Sequence, residues 1–211
     1  MLNEKRLIEI ENIPLHKGSG DALDTACVMQ MVSYVANEPW SDHPECVCPL
    51  LTRFAIRLND RFDDSHRQLL KPLIPRLVGT RADLKTEIQR AKFLALQAVS
   101  VFLPTLTEQF DIPEITARLR AFSIDQLAQA GDYIRGQIPE IRAQARKHFS
   151  ASYAAAYYAA ASSAAASSAS YAASSASYAE ASASYAEWIN IRNSIWIFQV
   201  AALKQAIEVR A

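Results

Sequence analysis

Residues 150–187 read SASYAAAYYAAASSAAASSASYAASSASYAEASASYAE, and 36 of these 38 positions are Ala, Ser or Tyr. They lie in a longer stretch of 72 residues after Pro139 that contains neither Gly nor Pro. Ala is the strongest helix former, so this stretch predicts one long helix or a few helices in series, with Ser162-Ser163 or Ser174-Ser175 as points for a hairpin. A single rod of that length would extend on the order of 100 Å at 1.5 Å per residue. The heptad AASSASY occurs at 165–171 and again at 172–178, and 179–185 is a close variant. Tyr171, Tyr178 and Tyr185 therefore recur every seven residues, and Tyr157 is in the same register. On a helix that spacing makes a slowly drifting stripe on a smooth rod. Ser174, Ala181, Trp188 and Ile195 follow the stripe three residues on, and the seam becomes apolar at Trp188.

No charged side chain occurs from Phe149 to Ala179, so the rod has no ion pairs to solvate it. Small residues let helix backbones approach closely, and tyrosines can pack as knobs. The pattern predicts helix–helix association within the chain or between copies through Tyr157, Tyr171, Tyr178, Tyr185, Trp188 and Ile195. A bland alternative is a helical spacer. An ice-binding helix would be expected to carry regular Thr and a silk-like strand Gly, and the repeat contains neither. From Trp188 onward two apolar faces, Trp188/Ile191/Ile195/Phe198/Ala202 and Ile189/Trp196/Val200/Leu203/Ile207, predict burial on both sides.

Upstream, about 138 residues of ordinary composition predict a compact helical head, and 139–211 a helical tail. Leu7–Ile13 alternates and reads as a short strand or extended arm. Helices are expected at about 22–36, 50–59 (Pro49 in its first turn), 65–70, 81–103 and 123–135, the last opened by the capping pattern of Ser123 and Gln126. The fold class is mainly α with at most one short N-terminal strand. The chain balances 22 Lys+Arg against 22 Asp+Glu. That balance argues against a nucleic-acid or polybasic membrane binder. The charged N-terminus does not read as a signal peptide, and Ile195–Leu203 is too short to span a bilayer. A cytoplasmic protein is the expectation.

Prolines 39, 44 and 49 force an ordered loop that carries Trp40, Asp42, His43, Cys46 and Cys48. Three chemistries compete there. Zinc could be held by His43, Cys46, Cys48 and Cys27, although H-x2-C-x-C lacks the common C-x2-C spacing. Cys27, at a helix start, could be a nucleophile served by His16, His43 or His66. The third reading has the cysteines as small buried hydrophobes, His43 satisfying loop carbonyls, and the loop as a recognition surface. No phosphate-binding loop, paired-His metal helix or nucleophile elbow is present. The basic cluster Arg142, Arg146 and Lys147 reads as a solvated helix face.

The run CVMQMVSYVANEPWSDHPECVCPLL from Cys27 to Leu51, followed by Leu58-Asn59-Asp60, resembles a family of uncharacterised bacterial and bacteriophage proteins that join this motif to Ala-rich tails with repeated Tyr. The chain departs from that pattern at Gln30 and Asn37, where Glu and Gly are expected. The resemblance implies an accessory protein of a phage or mobile element, cytoplasmic or virion-associated, and singles out Glu38, Trp40, Asp42, His43 and Cys46 as a binding site or structural knot. The functional expectation is a non-enzymatic self-assembly or protein-interaction protein without cofactor. The alternatives are a small zinc or thiol enzyme, or an inhibitor of a host defence complex.

Overall fold

The structure, a computed structural model, describes residues 2–110, 112–148 and 186–209. All regular structure among them is helical. Tyr157, Tyr171, Tyr178 and Tyr185, and with them the heptad repeat, lie outside the described residues. No helix among the described residues is long and apolar enough to cross a membrane. The chain divides into two compact units, one of Met1–Arg90 with Leu203–Ala211, the other of Ala91–Ala202.

The first unit opens with α1 (Glu4–Glu9) where the alternation suggested a strand. A two-residue period over so few positions does not discriminate, and a local bond decides. Asn3 caps the helix by accepting the Arg6 N–H at 3.2 Å. Arg6 then lies over the Tyr34 ring and donates to the Tyr34 carbonyl, so α1 is held as a helix against α2 (Val28–Val35). The expected helix at 22–36 is a 3-10 turn (Leu23–Thr25) followed by α2. Every α2 residue except Tyr34 is buried. This helix, packed on α3 (Pro49–Arg61), is the centre of the unit, with Met29, Met31, Val32, Phe54 and Leu58 in the shared core.

α4 (Asp64–Arg67), a 3-10 segment (Gln68–Leu73) and α5 (Ile74–Leu77) follow, tightened where Pro72 and Pro75 remove backbone donors. Arg67, 3% exposed, donates to the Asn59 and Phe62 carbonyls and so satisfies the end of α3. Asp63 caps α4 by accepting the His66 N–H at 2.9 Å. Burial pushes the Asp63 carboxyl up, but the His66 N–H, the Ser65 hydroxyl and the His66 ring outweigh it and hold it at about 2. Because the folded value lies below the ordinary 3.8, the cap's contribution is complete above that pH and fades as pH falls towards 2. Asp63→Ala is expected to cost about 1 kcal/mol at pH 7, discounted for the exposed carboxylate, with the deficit shrinking as pH falls through that window. Urea midpoints of the two proteins across the acid range check this.

The helix expected at 81–103 begins instead at Leu84, with Asp83 accepting the Thr86 N–H. It runs as α6 (Leu84–Gln97), widens into a π-helical turn (Ala98–Phe102) and continues as α7 (Leu103–Thr107). An α-helical Pro104 would clash with the Ser100 carbonyl. The widened turn, in which the Leu103 N–H reaches back to Ala98, carries the chain past it.

In the second unit α7 packs on α8 (Pro113–Arg120), joined by a buried bond from the Thr116 hydroxyl to that of Thr107 at 2.8 Å. After a 3-10 turn (Ile124–Gln126), α9 (Leu127–His148) runs straight through Pro139. The boundary expected at residues 138/139 therefore falls inside a helix. Leu103, Leu119, Phe122, Ile134 and Ile141 line the unit's core together with Ile195 of α10 (Ala186–Glu208). α10 is shared between the two units. Its earlier part is built into the second unit and its last residues into the first.

In the first unit Arg90, 4% exposed, donates to the carbonyls of Thr80 (2.7 Å), Ala206 (3.1 Å) and Ile207 (3.4 Å). Arg76 pairs with Glu208 in the same unit. The C-terminal end of α10 is held there by guanidinium groups.

Candidate functional site

The motif region, residues 37–48, is organised by side chains that bind backbone. Asn37 ends α2 with φ +60°, the left-handed conformation that glycine adopts most easily. Its N–H reaches the Tyr34 carbonyl and the Glu38 N–H reaches Ser33, which is a Schellman closure. Asparagine tolerates this geometry better than most residues with a Cβ. Asn37→Ala is expected to lose about 1 kcal/mol, while Asn37→Gly stays within about 0.5 kcal/mol of the parent in thermal unfolding.

The turn aims Glu38 across the loop. Its carboxylate accepts the N–H groups of Glu45 (2.6 Å) and Cys46 (2.9 Å). On the loop's other side the Arg81 N–H donates to the Cys46 carbonyl and the Cys48 N–H to the Thr80 hydroxyl. The Ser41 N–H meets the buried Ser33 hydroxyl, and the His43 N–H meets the Ser41 hydroxyl. Trp40 donates its indole N–H to the Gly20 carbonyl at 3.0 Å. Gly20 itself is required, because a Cβ there would fall 2.3 Å from the Thr25 carbonyl oxygen.

Three residues outside the expected site list complete the brace. Gln30, 3% exposed, accepts from the N–H groups of Gly20 and Cys27 and donates to the Gly20 carbonyl at 2.6 Å. Asn59 accepts the Val28 N–H at the start of α2 and donates to the His16 carbonyl at 2.7 Å. Asp60 accepts the Gly18 N–H at 2.9 Å. The signal for Asn59 lay in the sequence. It continues the apolar stripe Leu51, Phe54, Ala55, Leu58, and a polar residue on a buried stripe needs partners.

Trp40, 39% exposed, and His43 face solvent, as do Asn37, Pro39 and Glu45, and Asp42 is half-buried beside the His43 ring. Asp42 lies 2.6 Å from the His43 Nδ1, so the carboxylate orients the ring, whose side chain is 65% exposed. Neither the Cys27 nor the Cys46 thiol is shifted in the direction of an activated nucleophile. Burial pushes Cys27 up, against the opposing backbone N–H groups of Gln30 and Met29. Burial likewise raises Cys46, with the Gly79 N–H opposing and Glu38 adding to the rise. An activated cysteine needs the opposite shift. Cys48 is fully buried. Among the described residues no three or more His, Cys, Asp or Glu side chains converge as metal ligands, and His43, Cys46, Cys48 and Cys27 do not form such a set.

Glu38, Trp40, Asp42, His43 and Cys46 thus lie together on one braced loop. Ile195, expected at an association seam, is 1% exposed and belongs to the second unit's own core. The Trp188 side chain lies outside the description. Comparison with protein-family models, curated proteins and solved structures finds no match for this chain.

Proposed function

We propose that the protein is a non-enzymatic interaction protein, an accessory of a phage or mobile element, which self-associates through α10 and presents the braced Trp40–His43 loop from its head. One observation carries the self-association. On α10, whose Ile195, Trp196 and Gln199 are buried, the neighbouring Ile197 and Phe198 are 55% and 41% exposed. A large aliphatic and an aromatic side chain side by side in water are natural anchors for a helical partner. The heptad tyrosines in the sequence support the same reading, since a seven-residue spacing is the one that helix–helix seams use. The mobile-element context rests on the motif resemblance alone.

The motif's chemistry supports binding over catalysis. Glu38, Gln30, Asn59 and Asp60 hold backbone groups, and the two cysteines whose thiols shift are less acidic than usual. Such a loop offers a fixed shape, which reduces the ordering cost of recognition.

Truncation would remove core residues of both units, so the test uses point variants. Light scattering on the full chain is expected to give a multiple of 23.4 kDa, and the double variant Ile197→Glu/Phe198→Glu the single-chain mass. A parent protein that is already a single chain at tens of micromolar rejects self-association.

A further inference from the structure

α3 buries Leu51, Thr52, Phe54, Ala55, Leu58 and Asn59 and turns Arg53, Arg57 and Arg61 to solvent. The three arginines recur every four residues, so one appears per turn, about 6 Å apart along the axis. Like charges at this spacing destabilise a helix unless a carboxylate stands between them. Among the described residues neither Arg53 nor Arg57 forms an ion pair with a carboxylate. Asp60, one turn on from Arg57, instead gives its Oδ1 to the Gly18 N–H and the Asn59 amide. Half-buried Leu50 and Ile56 flank the row. Because the opposite face is locked in the core, the guanidinium groups stand on a rigid support.

We propose that this face of α3 docks an acidic helix of a protein partner, one whose Glu or Asp side chains also recur every four residues. Matching periods let Arg53 and Arg57 each meet a carboxylate in the planar two-bond geometry that arginine favours. Leu50 and Ile56 supply apolar contact at the edge of the row. A protein helix fits better than a nucleic acid. With 22 basic against 22 acidic residues the chain has no net field to gather a polyanion, and recognition has to come from short-range registry. The inference names a partner chemistry for the interaction reading and rests on it.

The test uses the full chain and fluorescence anisotropy. One probe is a labelled, Ala-based helical peptide with Glu at every fourth position. A second has the same composition with its Glu residues spread around the helix, and a third is a DNA duplex. The expected result is that the striped peptide binds best, more weakly as salt rises. R53Q/R57Q is expected to weaken that binding roughly tenfold, since each exposed pair contributes modestly. R53K/R57K, which keeps charge but loses the fork, should fall between. Both variants change exposed side chains, and unaltered urea midpoints confirm intact folding. Equal binding of the striped peptide by parent and R53Q/R57Q overturns the proposal, as does binding of the scattered peptide or the duplex as tight as that of the striped one. Failure of the mass measurement on α10 would remove self-association and leave this docking result standing.

Discussion

Replacing Arg90 by Met is expected to lower the stability of the protein by about 3 kcal/mol. The guanidinium is buried, and among the described residues it has no carboxylate partner. Its charge is held by carbonyl dipoles, those of Thr80, Ala206 and Ile207. Two of these close the C-terminal end of α10, where unpaired carbonyls make the helix end negative. Methionine would fill similar space but leave those oxygens unpaired, at about 1–3 kcal/mol for each one truly withheld from water. Arg90→Lys should recover part of the loss, because one ammonium cannot reach all three oxygens. Urea unfolding measures the size of the effect. Hydrogen exchange locates it, with the amides of 203–208 expected to lose protection before those of α2. A loss below about 1 kcal/mol in the Met variant would mean that water replaces the side chain at no great cost, and the anchoring role would be wrong.

Asn59→Ala is expected to cost nearly as much, about 3 kcal/mol. The residue is 0% exposed and serves two buried backbone groups at once, the Val28 N–H and the His16 carbonyl. Alanine orphans both. Asn59→Asp separates their contributions. It keeps an acceptor at the N-terminal end of α2 but has no N–H for His16, and it places a second carboxylate beside Asp60. A buried acid there resists ionisation, so its folded pKa lies above the unfolded one. The deficit of Asn59→Asp should therefore grow as pH rises from about 4 to 7. A deficit that stays flat across that range would show that the site admits water.

Much of the helical architecture was legible in local pattern. Pro49 at the first turn of α3 and the stripe Leu51, Phe54, Ala55, Leu58 are both found as read. The errors come from residues whose effect depends on what surrounds them. Alternation at Leu7–Ile13 lost to the Asn3 cap and the stacking of Arg6 on Tyr34. The helix expected to end at Leu103 is carried on past Pro104 by a widened turn. Pro139 sits on the exposed side of α9 and does not end it.

The braced loop was visible as three prolines around a polar motif, but the brace was only half visible. Side chains that bind backbone leave no partner residue to find. Gln30 and Asn59 could be suspected only as polar residues on buried stripes. For Arg90 the difficulty is greater, since two of its three acceptors are main-chain oxygens 116 and 117 positions away.

That separation also orders events in time. The second unit is spliced into the first, between Arg90 and Leu203. On a ribosome adding roughly 5–20 residues per second, Arg90 emerges on the order of ten seconds before its Ala206 and Ile207 acceptors exist. Until then its positive charge has only water and the Thr80 carbonyl to meet it, and the N-terminal helices wait with one wall missing. The inserted unit can mature first, and the last turns of α10 close the older unit behind it. A chain arrested anywhere inside the Ala/Ser/Tyr repeat would leave the first unit open, a state that proteases and chaperones are suited to recognise.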